Sequence, residues 1–332
     1  MTPRAQRSLA RFRTLPAGEG DAPDIPADAA NFADALLAGL RSDPKRISCK
    51  YFYDSEGSRL FEKVCGIPEY YPTRTELALL KAHAPEMTAL IGAEAEIVEF
   101  GAGAGEKIRP LLDALERPRA YLPIDISGAY LRGIAARLTE EYPALDIRPI
   151  VADFTRTVVL PSASDARRVG FFPGSTIGNL APQEAQQFLA NAARMLKGGG
   201  LLIGVDLVKD PGVLHAAYND PAGITAAFNK NLLVRANREA GANFELARFA
   251  HYAFYNPMQR RIEVYLVSNA AQRVTVCGRT VAFAEGEAIH TEWSYKYTVE
   301  DFRRLAASAG FVPRAVWCDA ERLFSIHWLE AA

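Results

Sequence analysis

The chain has 332 residues, enough for one large domain or two modest ones, and its 49% hydrophobic and 23% charged content is a soluble, globular balance. A formal net charge of −1 leaves no basic excess to replace counterions on a nucleic acid, and no apolar run reaches the roughly 18 residues of a membrane helix. The four cysteines, Cys49, Cys65, Cys277 and Cys318, have no CxxC spacing; they fit a reducing compartment, give no zinc signal, and leave no metal to expect.

Arg4, Arg7, Arg11 and Arg13 open the chain and lead into PAGEGDAPDIPADAA at 16–30. Such a start can mimic an organelle targeting peptide, but a flexible tail over 1–30 accounts for it, and a cytoplasmic protein is expected. Residues 31–42 carry a helical pattern through Phe32, Leu36, Leu37 and Leu40. The aromatic-rich stretch 51–76 predicts a helix around 56–64, extended chain near Pro68 and Pro72, and then a helix from Thr75 to about Ile91. Strands and helices alternate from there. EIVEFGA (96–102), AYLPID (120–125), IRPIVAD (147–153), RVGFFPG (168–174) and GLLIGVDL (200–207) read as strands, with helices at 106–116, 127–141 and 182–197. The strands are apolar along most of their length, as strands buried on both faces of a parallel sheet are, so the pattern predicts a doubly wound α/β sheet.

The rhythm breaks after Asp206. Residues 211–240 look helical, 249–268 reads as two alternating strands around an Asn-Pro turn, and strand-like pieces continue to about 297. A helix at 299–309 and strands at 311–317 and 324–329 close the chain. The expected organisation is a sheet domain of 31–208 plus 296–332, with a smaller α+β domain, 209–295, inserted before its last elements.

GAGAG at 101–105 follows the first strand but is not the dinucleotide fingerprint GxGxxG: the third glycine position, counted from Gly101 and Gly103, holds Glu106, an acid that would repel a pyrophosphate. Asp125 ends the second strand, where it can accept hydrogen bonds from both hydroxyls of a ribose. Asp153 ends the third predicted strand, placed for an adenine amino group, with Phe154 for the ring. Any one of these acids could be a helix N-cap. Glycines, a ribose acid and an Asp-aromatic pair at successive strand ends favour S-adenosylmethionine over a nicotinamide. The loop after the fourth strand, PGSTIGNLAP at 173–182, then faces the reactive end of the cofactor, and Asn179 in it offers a donor and an acceptor, unless it only caps the following helix. That loop has no strong base and no cysteine, and methyl transfer to an amine demands neither. Tyr53, Tyr70, Tyr71 and Tyr218 offer hydroxyls and ring faces that suit a cationic amine, or are simply half-buried packing.

The segments YFYDSEGSRLF (51–61), IPEYYPTRTE (67–76), VEFGAGAGEK (98–107), GSTIGNL (174–180), GVDLVKD (204–210), AYND (217–220), GITAAFNKN (223–231) and TEWS (291–294) together resemble the histidine N-alpha-methyltransferases of ergothioneine biosynthesis. The similarity runs from about residue 45 to the C-terminus. It implies a Rossmann-like class I methyltransferase sheet beside a substrate-binding α+β domain. It implies transfer of three methyl groups from S-adenosylmethionine to the α-amino nitrogen of L-histidine, giving hercynine. A small, closed amino-acid pocket suggests a monomer. By motif match, Gly101, Lys107, Asp125, Asp153 and Phe154 would hold the cofactor; Tyr70, Asn179 and Tyr218 would hold the amino-acid backbone, with Gly174 and Tyr53 lining the site. Tyr70 and Asn179 would orient the amine, and Glu292 and Ser294 would read the imidazole, although Glu292 could also be a solvated strand residue. One departure is Val264, where histidine-specific members of the family usually carry Met. A smaller side chain there widens the pocket and keeps open an N-alpha-methyltransferase of another aromatic amino acid, such as a tryptophan derivative.

Overall fold

The computed structural model describes residues 32–161 and 166–332. The expected flexible tail, 1–30, lies outside the described residues. In chain order the helices are α1 (Phe32–Arg41), α2 (Ser55–Gly66), α3 (Tyr71–Ile91), α4 (Arg109–Ala114), α5 (Gly128–Glu141), α6 (Pro182–Met195), α7 (Pro211–Tyr218), α8 (Ile224–Glu239) and α9 (Val299–Ser308). The strands are β1 (Glu96–Phe100), β2 (Ala120–Asp125), β3 (Asp146–Ile147), β4 (Ile150–Val151), β5 (Arg168–Phe172), β6 (Gly200–Asp206), β7 (Phe249–Asn256), β8 (Arg261–Ser268), β9 (Gln272–Val276), β10 (Arg279–Phe283), β11 (Ala288–Tyr295), β12 (Phe311–Cys318) and β13 (Phe324–Ala331).

The chain forms two compact units, one from Cys65–Val213 and Ser294–Ala332, the other from the described residues up to Val64 together with Leu214–Trp293. The first is a doubly wound sheet in the order β12-β13-β6-β5-β1-β2-β3, with β4 also on β2. Strands β1, β2, β5 and β6 run parallel, and β13 and β12 add an antiparallel edge. The apolar strands bury both faces, as their composition predicts. Val98 and Phe100 of β1 pack with α6 and α9 through Phe188, Leu189 and Phe302. Ile97 packs on the other side with α3, α4 and α5 through Leu80, Leu111 and Ile134. Strand order reverses between β5 and β1. At that switch point the loops leaving the two strands diverge and open a crevice beyond their carboxyl ends.

Two local expectations are corrected. The predicted third strand, 147–153, is two short pieces, β3 and β4, separated at Arg148 and Pro149, because a proline has no N–H for the ladder. Asp153 therefore sits in the turn beyond β4 and not at a strand end. Pro72 is not in extended chain; it occupies the first turn of α3, where its missing N–H costs nothing, and the helix starts at Tyr71 instead of Thr75.

The second unit holds a three-stranded sheet, β11-β8-β7, and a two-stranded one, β10-β9. The hairpin β7–β8 turns after Asn256, whose side-chain oxygen accepts from the amides of Met258 and Gln259. Residues 32–64 group with this unit, whereas the sequence reading assigned them to the sheet domain. The reason is packing on α8: Phe52 stacks on Phe228 at 4.6 Å, and the Arg235 guanidinium lies 4.4 Å from the Phe32 ring centroid.

Within the sheet, β1 carries a buried acid, Glu99, which accepts a hydrogen bond from the Tyr121 hydroxyl of β2. Burial raises its pKa to about 8 against the lowering effects of Tyr121 and Lys107. A carboxyl whose folded pKa exceeds its unfolded value contributes stability that is present at low pH. That stability is lost as pH rises from the ordinary 4.5 through about 8. Glu99→Gln should therefore gain in denaturation midpoint relative to the parent as pH is raised from about 5 to about 8. A parent–variant difference that stays flat with pH rules this out.

Candidate active site

Beyond β1 the chain turns through Gly101, Gly103 and Gly105, with φ of 75°, 49° and 69°. A Cβ at Gly103 would meet nothing within 4 Å, so the backbone borders open space there; at Gly105 it would come within 2.7 Å of Ile134 on α5. The turn is thus open on one side and seated on a helix on the other. Asp125, at the end of β2, accepts from the Gly103 amide at 3.3 Å and from the Ser127 amide at 2.9 Å. It supports the start of α5 and the glycine turn together. Burial raises its pKa, against those backbone donors. A half-buried carboxylate beside an exposed glycine backbone has the chemistry to accept vicinal hydroxyls, so these residues fit a ribose. Asp153 folds its own turn, accepting from the Thr155 amide and hydroxyl. Phe154, half-buried, presents a ring held edge-on by Phe172 and Phe188, and a Cβ on Gly101 would lie 3.4 Å from it.

Beyond β5, Gly174 (φ 81°) and Ser175 (φ 55°) make a left-handed turn into a short 3-10 segment, Thr176–Asn179. Asn179 is half-buried and does not cap α6: that helix is capped at Ala181, whose amide donates to Glu184 at 2.7 Å. Tyr70 stands at the N-cap of α3, half-buried, while its neighbour Tyr71 turns inward and donates to both oxygens of Asp206, at 2.8 Å each. Asp206 ends β6 and is buried between Lys209 (2.5 Å) and Lys296 (2.7 Å). Burial works to raise its pKa, but the two ammonium groups hold it below the ordinary value. Lys209 is pushed down to about 8, chiefly by burial. Lys296 also donates to Ser294 Oγ at 2.7 Å.

The family described as "Histidine-specific methyltransferase, SAM-dependent" matches residues 32–331. The chain belongs to this family. A histidine N-alpha-methyltransferase of Mycolicibacterium smegmatis is 43% identical over 86% of this chain and 90% of that protein. One of Mycobacterium tuberculosis is 39% identical over the same shares. A 4-dimethylallyltryptophan N-methyltransferase of Penicillium roqueforti is 26% identical, covering 86% of this chain and 89% of that protein. The chain is thus an S-adenosylmethionine-dependent methyltransferase, and no helix among the described residues is long and apolar enough to cross a membrane.

Of the residues matched to this family by motif, the sheet unit carries Gly101, Lys107, Asp125, Asp153, Phe154, Gly174, Asn179, Tyr70 and Ser294. The other unit carries Tyr53, Tyr218 and Glu292. Tyr53 packs edge-on against Phe61, with ring centroids 5.7 Å apart. Tyr218 ends α7, and its carbonyl accepts from His251 Nε2 at 2.8 Å; the other ring nitrogen accepts from the Asn229 amide at 2.9 Å, which fixes His251 as a neutral tautomer. Glu292 is half-buried on β11. Its neighbour Thr291 donates to the carbonyl of Val264, which is itself buried on β8.

The supporting residues Glu76, Asp206, Lys209, Lys296, Asn229 and His251 were not singled out from sequence. Glu76 had a readable signal: with Leu80, Ala84, Met87 and Ile91 it lies on the buried stripe of α3, an acid at an apolar position. The pairing of Asp206 with Lys296 spans ninety residues and had none. Asp206→Asn should cost about 3–5 kcal/mol of stability, because it leaves two buried ammonium groups without their counter-ion. Urea denaturation checks this, and a loss below about 1 kcal/mol contradicts it.

Proposed function

We propose that the chain transfers three methyl groups in turn from S-adenosylmethionine to the α-amino nitrogen of L-histidine, giving hercynine on the route to ergothioneine. The observation that carries the reading is the match, over nine-tenths of their length, to proteins named for histidine N-alpha-methylation. The open glycine turn with Asp125 supports the cofactor half of it.

When bound, S-adenosylmethionine supplies a sulfonium methyl already activated toward an amine. The residues' work is then alignment. Asp125 would take the ribose hydroxyls, Asp153 and Phe154 the adenine, and Gly101 and Lys107 the methionine portion. Tyr70, Asn179 and Tyr218 would hold the amino-acid backbone, with Gly174 and Tyr53 beside it. The Asn179 amide can both donate to a carboxylate and accept from an amine, so with the Tyr70 hydroxyl it can orient the nitrogen lone pair once the ammonium has lost its proton. Ser294 accepts from Lys296, and an ammonium on its oxygen favours the hydroxyl as a donor to an imidazole nitrogen. Glu292 would accept from the imidazole N–H. One donor and one acceptor match a neutral imidazole.

A tryptophan-type amine is the reading that Val264 favours, and the higher identity to the histidine enzymes weighs against it. A net charge of −1 supports a small-molecule substrate and no nucleic-acid partner. We further read the enzyme as a cytoplasmic monomer.

The test is mass spectrometry of the protein with S-adenosylmethionine and an equimolar mixture of the standard amino acids. Histidine should gain three methyl groups and no other amino acid should change. Methylated tryptophan would move the substrate and keep the cofactor. Glu292→Ala should lower kcat/KM for histidine about 10- to 100-fold with cofactor affinity unchanged, the loss expected for a charged hydrogen bond. An unaltered kcat/KM removes Glu292 from the site.

A further inference from the structure

Glu76 is fully buried on α3, and its carboxylate has a defined set of donors. The amide of Gly174 donates to both oxygens, at 3.0 and 2.9 Å, and Lys107 Nζ lies 2.7 Å from Oε2. Gly174 opens the loop after β5 that carries Asn179, and Lys107 closes the glycine turn after β1. These are the two strands at which the order of the sheet reverses. Room for the carboxylate comes from β6: a Cβ on Gly204 would lie 2.1 Å from Glu76 Oε1, closer than atoms can approach. Four of the segments that carried the family resemblance, those ending at Glu76 and Lys107 and those beginning at Gly174 and Gly204, therefore converge on one side chain.

Each loop has its own hold, Asp125 on the glycine turn and the Asp206 amide on Ser175 Oγ, and Glu76 joins the two loops through one side chain. The β5 loop leaves the sheet through two left-handed residues, and its first amide, on Gly174, donates to Glu76 and not to a strand of the ladder. The glycine turn has no side chain to pack before Lys107 except alanine and the exposed Glu106. Lys107 itself is mostly buried, and the Glu76 carboxylate offsets the burial that would otherwise lower its pKa. Removing the carboxylate would release the Gly174 amide and strand the ammonium together.

We propose that Glu76 is a positioning residue for methyl transfer, fastening the cofactor turn and the acceptor loop to each other across the switch point, so that both move if it is lost. The proposal rests on the methyltransferase reading for its activity arm only. Such a residue touches neither cofactor nor acceptor; it sets the distance between the loops that do, and in a reaction governed by alignment a small displacement is felt in kcat as well as in affinity.

The test uses the full chain with Glu76→Gln, the charge-balanced pair Glu76→Gln with Lys107→Met, and Glu76→Asp. S-adenosylhomocysteine affinity is measured by calorimetry, kcat at saturating cofactor and histidine, and exchange of the Gly174 amide by NMR, all well below the Tm of the least stable variant. Both Gln forms should lose about tenfold or more in affinity and in kcat, because a charged buried hydrogen bond has gone from each loop. Glu76→Asp, with its charge intact, should recover part of both. The Gly174 amide should exchange faster in every variant. Folded Gln forms within about twofold of the parent in both quantities would overturn the proposal, as would a loss of affinity with kcat untouched, which would mean one loop only is held. Should the Gln forms not fold, Glu76→Asp decides, and parental kcat and Gly174 exchange in it overturn the proposal. If the parent methylates no amino acid, the functional reading fails, and affinity with Gly174 exchange still decides the fastening.

Discussion

The contact that joins the two loops at the sheet unit's switch point is a buried carboxylate, Glu76, with a backbone amide on one side and an ammonium on the other. A parallel sheet fixes its strands by their ladders, but the loops beyond the carboxyl ends have no ladder. Where strand order reverses, they also diverge from one another. Small, glycine-bearing loops suit close approach of a ligand and are poor at packing. A carboxylate from a neighbouring helix answers both needs, since it accepts from several donors at once and occupies little volume. The arrangement is costly to break and cheap to keep only because each charge has its partner.

The same device recurs one strand over. Asp206 at the end of β6 accepts from Tyr71, Lys209 and Lys296, and its amide donates to Ser175 Oγ, the residue after Gly174. Lys209 in turn donates to the Tyr71 hydroxyl and the Leu207 carbonyl. The second unit is built likewise. Asp54 accepts from the Gly57 amide, Asn231 and Arg238, and Asp220 takes the amides of Ile224 and Thr225 at the start of α8. Each carboxylate stands beside a proposed substrate or cofactor residue in the chain or ties down the loop that carries one.

The sheet was legible because its strands are apolar along their length and its glycine turn and Asp125 are local signals at strand ends. Period and turn chemistry suffice for such features. What escaped was partly local, at two prolines, and partly dependent on distant partners. The split of the third strand follows from Pro149, whose missing N–H is readable in the sequence; the early start of α3 follows from Pro72 standing in the first turn, where a proline is tolerated. The grouping of 32–64 with α8 could not be read, because Phe52 and Phe228 lie far apart in the chain and neither carries a periodic signal for the other. Asn179 shows the converse case: sequence left capping open, and the Glu184 carboxylate at Ala181 closes it.

Methyl transfer from a sulfonium asks for a neutral amine at the right distance and angle and for little proton chemistry. That demand explains where this chain spends its ionisable groups. In an acid–base enzyme, buried charges near the crevice would face the substrate with pKa values tuned to exchange protons. Here Glu76, Asp206, Lys209 and Lys296 bond to one another, to neighbouring side chains and to the backbone, and so hold loops in place. Lysine suits the task because its ammonium can donate in three directions, here to a carboxylate, a phenol and a carbonyl at the end of one strand. Buried ion pairs add little to stability compared with apolar packing of the same volume, but they fix one geometry where apolar contact would tolerate several. For a reaction that depends on alignment, that specificity is the property the loops require.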